Sequence, residues 1–325
     1  MERPASGEQF VLTRGGQRAV VTEVGATLRQ YEVHGRPVCL GFEEDEIAPG
    51  SRGQVLAPWP SRLLGGSYAF DGVRAQAAIN DLENQNAIHG LVRFDGWKVE
   101  EKTEEHVTLS DVVQAQPGYP FTVGISVRYG LTAEGLEIAT TATNLGRRRA
   151  PFGVGFHSYL HAGPARLDDC SLALPARKHV VVAERRRPVG VEPVEQTDFA
   201  QFCRDGETAM IGDRAVLECF TDLAVGSDGR WQARFARGQE VNDRIEVWGD
   251  AWFRWIVVYT GDNAAPAEAR RGLALEPMTC APNALASGDG LAVLDTGASF
   301  SATWGIRPAW VSSLAESPKS RSHRG

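Results

Sequence analysis

The sequence is short of nearly everything that would point to a membrane, a cofactor or a nucleic acid. No apolar stretch approaches the length of a membrane span, and the opening MERPASGEQF has no apolar core of the kind a secretory signal carries. Its five cysteines, Cys39, Cys170, Cys203, Cys219 and Cys280, stand singly, with no C-x-x-C. An odd, scattered set without a leader reads as reduced thiols in a cytoplasmic protein, and it offers no pattern for structural zinc. Basic residues are outnumbered, 34 Lys and Arg against 41 Asp and Glu for a net charge of −7. That balance argues against nucleic acid as a partner. The basic runs Arg147 to Arg149 and Arg185 to Arg187 read as solvated turns between strands rather than as an anion site. Phosphate loops, nucleophile elbows and dinucleotide fingerprints are missing as well. GGSYAFDG has glycines but no helix behind it, and GVGF lacks the third glycine.

What is present is a β pattern. Hydrophobic residues make up 42% of 325 residues, enough to build a sizeable core. From Phe121 the apolar residues fall on Val123, Ile125, Val127 and Tyr129, with Thr122, Gly124, Ser126 and Arg128 between them, which predicts a strand with one buried face. TAEG at 132 to 135 turns the chain, and Leu136 to Thr143 returns as a second strand. The same alternation marks Phe253, Trp255, Val257 and Tyr259. Shorter runs at Arg18 to Val24, His106 to Val113, Val180 to Val182 and Ala302 to Ile306 read as further strands. The single helix of any size is expected around Glu195 to Arg204. With 35 Gly and 17 Pro spread along the chain, the expectation is an all-β fold, a large antiparallel β-sandwich or a barrel with few short helices. No Pro/Ser-rich linker interrupts it, so residues 1–312 are read as one domain and the polar 313–325 as a tail.

Four segments carry reactive side chains among strand and turn residues: APWPSRLLGGSYAFDG, NAIHGLVRFDGW, APFGVGFHSYLHAG and GLALEPMTCAPNAL. In the first, prolines on either side of Trp59 stiffen a loop that presents Arg62. The second brings His89 before a glycine, and the third ends a glycine-rich strand at His157 and Tyr159. In the last, Glu276 interrupts an apolar run, so its carboxylate must be paired or hold its proton unusually tightly. A structural ion pair is the rival explanation for Glu276, and a satisfied structural histidine the rival for His157. His157 and His161 stand four apart, a metal spacing only on a helix, and Pro151, Gly153, Gly155 and Gly163 argue against one there. His34, His106, His179 and His323 read as surface residues. An acid/base enzyme without cofactor, or a binding protein, remains.

In this order the four segments resemble the aldose 1-epimerase (galactose mutarotase) family over most of residues 10 to 306. The family's proline-rich loop ending in Asn-Arg, followed by a G-x-Y-x-F hairpin, appears as PWPSR and GGSYAFDG, so Arg62 matches and Ser61 replaces the asparagine. Its Asn-x-x-x-His-Gly appears as QNAIHG, placing one histidine at His89. Its H-P-Y-F appears as HSYL, placing the other at His157. The late glutamate matches Glu276, while YTGD at 259 to 262 and the closing Gly297 to Ile306 also look like family features. A family aspartate in an L-D-x-x-F segment has no counterpart: the stretch reads VLECF, with Leu217 at that position and Glu218 beside it, so either Glu218 substitutes or the contact is missing.

The resemblance implies the galactose mutarotase-like supersandwich and an isomerase that interconverts the anomers of a free aldose. Glu276 would be the base at the C1 hydroxyl and His157 the acid at the ring oxygen, on opposite sides of the ring. Arg62 and His89 would hold sugar hydroxyls. Trp59 is expected in the core rather than stacked on the sugar. The expected partner is a small sugar, with no metal, no cofactor, no nucleic acid and no membrane, in a monomer or homodimer. Alternatives are a hexose-6-phosphate 1-epimerase, drawing on Arg62, Arg93 or Arg52, and a non-catalytic carbohydrate-binding protein on the same fold. A hydrolase would call for two carboxylates, and one candidate is found.

Overall fold

The computed structural model describes residues 3–311 except 165, 205 and 239–242. Among them, the alternation seen in the sequence becomes two large antiparallel sheets. The nine-stranded sheet runs in space as Lys98–Lys102, His106–Val113, Val123–Leu131, Leu136–Asn144, Ser299–Pro308, Arg244–Gly249, Trp231–Ala236, Ser171–Ala173 and Ala209–Met210. The eight-stranded sheet runs Arg187–Pro193, Ala176–Ala183, Leu217–Leu223, Trp255–Tyr259, Gly272–Met278, Gly155–Phe156 and Val55–Leu56, with Tyr159–His161 also paired to Gly272–Met278. The Thr132 N–H donates to the Gly135 carbonyl at 2.7 Å, closing the turn between Val123–Leu131 and Leu136–Asn144. The expected strands all form, with ends displaced by a few residues: the one expected from Phe121 starts at Val123, and Arg18 to Val24 becomes Gln17–Thr22.

The two sheets differ in what they cover. In Val123–Leu131, Val123, Ile125, Val127 and Tyr129 are buried while Gly124, Ser126 and Arg128 look outward. The eight-stranded sheet has apolar side chains on both faces, so its central strands read as nearly unbroken hydrophobic runs. Phe220, Ile256, Val258, Leu273 and Leu275 join the main core between the sheets. Phe156 meets Trp304 there, ring centroids 5.1 Å apart, one from each sheet. On the opposite face Val180, Cys219, Trp255, Val257 and Met278 form a separate apolar patch, and Glu276 belongs to that patch by alternation.

Two expectations change. Glu195 to Arg204 is not a helix but two 3-10 turns, Val194–Gln196 and Ala200–Cys203. Thr197 accounts for it: its hydroxyl bonds the Val194 carbonyl and accepts from the Phe199 N–H, local bonds that compete with a helix ladder. The α-helical turn that is described, Ala284–Ser287, lies elsewhere. His179 is buried rather than a surface residue, because Glu192 and Glu218 supply partners for both its nitrogens. The tail 313–325 and His323 fall outside the described residues. No helix among the described residues is long and apolar enough to cross a membrane.

Phe156 is 2% exposed and packs on both Phe253 and Trp304. Phe156→Ala should destabilise the fold by about 3–5 kcal/mol through lost burial and the cavity left behind. Urea unfolding measures this, and a midpoint equal to wild type would contradict the packing described.

Candidate active site

Glu276 owes its position to the proline that follows it. A residue before proline is driven to extended backbone, which keeps Glu276 in strand geometry. Proline also has no N–H for the ladder. The Leu275 and Thr279 N–H groups bond to Ser158 and Val154 at 3.0 and 2.9 Å. The ladder position between them falls on Pro277. There the neighbouring chain breaks into Gly155–Phe156 and Tyr159–His161, and His157 sits in the gap. Its backbone is held from the other side: the His157 N–H donates to the Gln54 carbonyl at 3.1 Å and its carbonyl accepts from the Gly53 N–H at 2.8 Å. The register of the flanking strands, Gly155 opposite Met278 and Tyr159 opposite Ala274, places His157 across from Glu276.

The side chains meet. His157 Nε2 lies 3.3 Å from Glu276 Oε1, with the two side chains 8% and 4% exposed. The two groups are neighbours on one sheet face, not set apart as expected from the sequence. Burial pushes the Glu276 carboxyl up to about 8, against a downward pull from Arg62. Burial pushes the His157 imidazole down to about 3, helped by Arg93. Both groups resist carrying charge, so near neutral pH the pair holds a single proton. The His157 ring stacks on Tyr159 at 5.2 Å and 6°, and meets the edge of His89 at 5.3 Å. Its Nδ1 is buried and has no hydrogen-bond partner among the described residues.

His89 and Arg62 come from one small ladder, in which Arg62 pairs with Ile88. The Ser61 N–H donates to His89 Nδ1 at 3.2 Å, and the His89 N–H donates to the Ser61 carbonyl at 2.9 Å. That fixes the neutral tautomer with the proton on Nε2. Burial, His157 and Arg93 together hold the imidazole well below its usual range, so it stays neutral. The exchange demands left-handed backbone at Ser61 and His89, φ 56° and 65°, a conformation costing on the order of 1–3 kcal/mol per non-glycine residue and concentrated at functional sites. Gly90 follows at φ +68°, where a Cβ would stand 2.0 Å from the Ala57 carbonyl oxygen. The glycine after His89 is thus dictated by close approach. Arg62 Nε bonds Asp81 at 2.7 Å, which orients its guanidinium.

The structure also brings together groups that the sequence did not join. The run Arg185 to Arg187 forms a turn between strands as expected, with Arg185 and Arg187 exposed, but it is also docked. Arg185 donates to the Asn84 and Gln85 carbonyls at 2.9 and 2.7 Å, and its own carbonyl accepts from Asn86 Nδ2 at 2.9 Å. Asn86 begins the strand Asn86–Ile88 that leads into His89, so this loop is fastened at the rim of the site. Arg186 bonds the Leu217 carbonyl and lies 3.8 Å from Glu218. Arg93 donates to Ser51 at 2.8 Å, and no ion pair within 4.0 Å is found for it among the described residues. Basic runs look alike in sequence whether solvated or docked, and no local signal marked this one.

Glu218 is not a substitute for the family aspartate. It faces away from Glu276, accepting from His179 Nε2 at 2.8 Å. Burial disfavours the His179 charge, but hydrogen bonds to Glu218 and Glu192 outweigh it and hold its pKa above the usual value. Leu217, at the aspartate's position, packs with Cys219 and Val257, so the floor there is apolar. Trp59 is 3% exposed and part of the main core. His161 accepts from the Gly163 N–H at 2.8 Å, and among the described residues no group of three or more His, Cys, Asp or Glu is placed to hold a metal.

A carboxyl raised from 4.5 to about 8 by burial makes the folded state bind a proton that the unfolded chain releases. Stability therefore falls as pH rises between these values, and the burial cost is complete above about 8. Glu276→Gln removes that penalty. Its Tm relative to wild type should be higher at pH 8 than at pH 5, by at least about 2 °C. A gap that does not change with pH would contradict the burial assigned to this carboxyl.

Comparison with known proteins bears on the family and the fold. The family model described as aldose 1-epimerase matches residues 8–307. The uncharacterized protein YihR of Escherichia coli is 31% identical over 293 residues, covering 90% of each chain. A galactose mutarotase-like protein from Clostridium acetobutylicum superposes with a TM-score of 0.80 at 17% identity, over 91% of this chain and 93% of that one. Galactose 1-epimerase from Lactobacillus acidophilus gives 0.75 at 19% identity, over 94% and 97%. The last two likenesses show the fold, which is the galactose mutarotase-like sandwich, and the match over nearly the whole length shows the family: this chain is a member of the aldose 1-epimerase family.

Proposed function

We propose that the protein is an aldose 1-epimerase, opening and reclosing the ring of a free aldose with Glu276 and His157. The observation that carries this reading is the 3.3 Å contact between a buried carboxyl and a buried imidazole sharing one proton. The C1 hydroxyl and the ring oxygen are bonded to the same carbon, so two neighbouring groups reach both. With the shared proton on His157, the Glu276 carboxylate, whose charge nearby Arg62 favours, takes the C1 hydroxyl proton. The C1–O5 bond breaks, C1 becomes an aldehyde, and O5 takes the proton from His157. Rotation about C1–C2 and the reverse transfers give the other anomer. His89 Nε2–H and the Arg62 guanidinium donate to sugar hydroxyls and fix the pose. Proton transfer between side chains suffices, so no metal is called for.

A sugar phosphate is the second reading, and Arg186 favours it, because the docked loop brings that cation toward Arg62. The neutral sugar is preferred because three of the four cations are already engaged, Arg62 by Asp81, Arg186 by Glu218 and Arg52 by Glu268, which leaves Arg93 where a phosphate dianion calls for two or more. A pure binding protein has no need of an acid–base pair at this contact.

Glu276→Gln and His157→Asn should each lower kcat for mutarotation by about 10²-fold or more while the protein stays folded. Polarimetry of freshly dissolved single anomers measures this, and near-normal turnover in either variant would remove that residue from the mechanism. In wild type, kcat/KM should fall as pH rises above about 8, where the pair loses its proton.

The same assay on glucose, galactose, xylose, arabinose and glucose 6-phosphate should rank the phosphate below the best neutral aldose in kcat/KM. A clear preference for the phosphate would promote the second reading. Dialysis against a strong chelator should leave the rate unchanged; loss of activity restored by a divalent ion would revive a metal role.

A further inference from the structure

We infer that the site extends into a neighbouring cleft that takes the remainder of an oligosaccharide, so that the preferred substrate is a neutral sugar chain whose reducing-end aldose sits over Glu276. This rests on the mutarotase reading above. The eight-stranded sheet carries a cavity of about 740 Å³ lined by Lys178, Val180, Thr221, Asp222, Trp255 and Asn283, among others. Glu276, His157, His89 and Arg62 do not line it. It lies beside them on the same face. Val257 is paired with Glu276 on one side and with Cys219 on the other, and both share an apolar patch with Val180 and Trp255 of the cleft. One register step along, Trp255 pairs with Met278 and Thr221, and Thr221 pairs with Lys178. The floor of the cleft is therefore the floor of the acid–base site continued across neighbouring strands.

The two spaces also share a wall. Asn283 lines the cleft, its N–H donates to the Arg62 carbonyl at 2.7 Å, and its side-chain oxygen accepts from the Leu64 N–H at 3.0 Å. The segment presenting Arg62 is thereby fixed to the edge of the cleft.

The lining suits a sugar chain. Apolar Val180 and Val191 and the largely buried Trp255 are interspersed with Thr221, Ser287 and the Lys178–Asp222 ion pair at 3.3 Å. Pyranose rings need that mixture, a surface for their C–H faces and polar groups for their hydroxyls. The charged lining residues balance, Lys178 and Arg254 against Asp222 and Asp289, so the cleft favours a neutral ligand over an anion. Its volume is in the upper part of the usual range for ligand pockets, about 300–1,000 Å³, and a single pyranose would leave most of it empty. Ring opening needs a free C1 at Glu276, so the glycosidic link must be at another carbon and the chain must leave toward the non-reducing side.

The experiment compares mutarotation of glucose with that of maltose, cellobiose, lactose and maltotriose by polarimetry and exchange NMR. At least one oligosaccharide should exceed glucose in kcat/KM by about tenfold, chiefly through KM. Thr221→Trp, which fills the cleft away from the acid–base pair, should abolish the advantage and leave glucose turnover within about twofold. Calorimetric titration of maltotriose and glucose into Glu276→Gln gives a readout independent of turnover, and maltotriose should bind tighter. Equal kcat/KM and equal affinity for glucose and all four oligosaccharides, or an advantage that survives Thr221→Trp, would overturn the proposal. Loss of mutarotation for every sugar, with tighter maltotriose binding retained, would instead sink the mutarotase reading and leave the cleft as a binding site.

Discussion

A carboxyl and an imidazole kept out of water, 3.3 Å apart, set the requirement that the rest of the site must meet. Isolated in an apolar setting, either charge would be expensive, which is why each group is displaced toward its neutral form. Side by side they hold one mobile proton between them. Everything nearby serves to keep that contact dry and in register: Tyr159 stacks on one face of the imidazole, His89 presents an edge, and Val257 and Cys219 extend an apolar floor beside the carboxyl. Arg62, oriented by Asp81, supplies a positive field that favours the carboxylate of Glu276 and opposes a second proton on His157.

This contact depends on a local failure of the sheet. Pro277 removes one rung, the adjacent chain divides, and the space released is filled by the His157 side chain while its backbone bonds to Gly53 and Gln54. The left-handed backbones of Ser61 and His89 are a second irregularity. Both are expensive in isolation and persist because the sandwich beneath them is well packed, with Phe156 set between Phe253 and Trp304 directly under the break.

Much of this was legible in the sequence because period-two alternation survives in strands such as Val123–Leu131 and Leu136–Asn144, and because a glutamate among Leu273, Ala274, Leu275 and Pro277 is chemically conspicuous. The segment order then singled out Arg62, His89, His157 and Glu276, which the structure brings to one face. Contacts between residues far apart in the chain were not legible. Nothing about Arg185 to Arg187 announced that its partners are the carbonyls of Asn84 and Gln85. His179 looked like any polar residue near a strand, since its burial depends on Glu192 and Glu218 arriving from two other strands. Whether Glu218 could stand in for an aspartate turned on which way it points, and a one-residue difference in register reverses that. The helix expected at Glu195 to Arg204 failed for a local reason, the hydroxyl of Thr197.

The row of residues that leads from Glu276 across Val257 and Cys219 ends at the strand Arg187–Pro193, which lies at the edge of its sheet with most of its residues exposed. The chemistry is thus anchored in central strands, where nearly any change disturbs the core, and the far wall of the cleft in an outer strand that tolerates change. On the function proposed above, a substitution at Pro188 or Val191, which line the cleft, would alter which sugars are admitted and leave the buried acid–base contact in place.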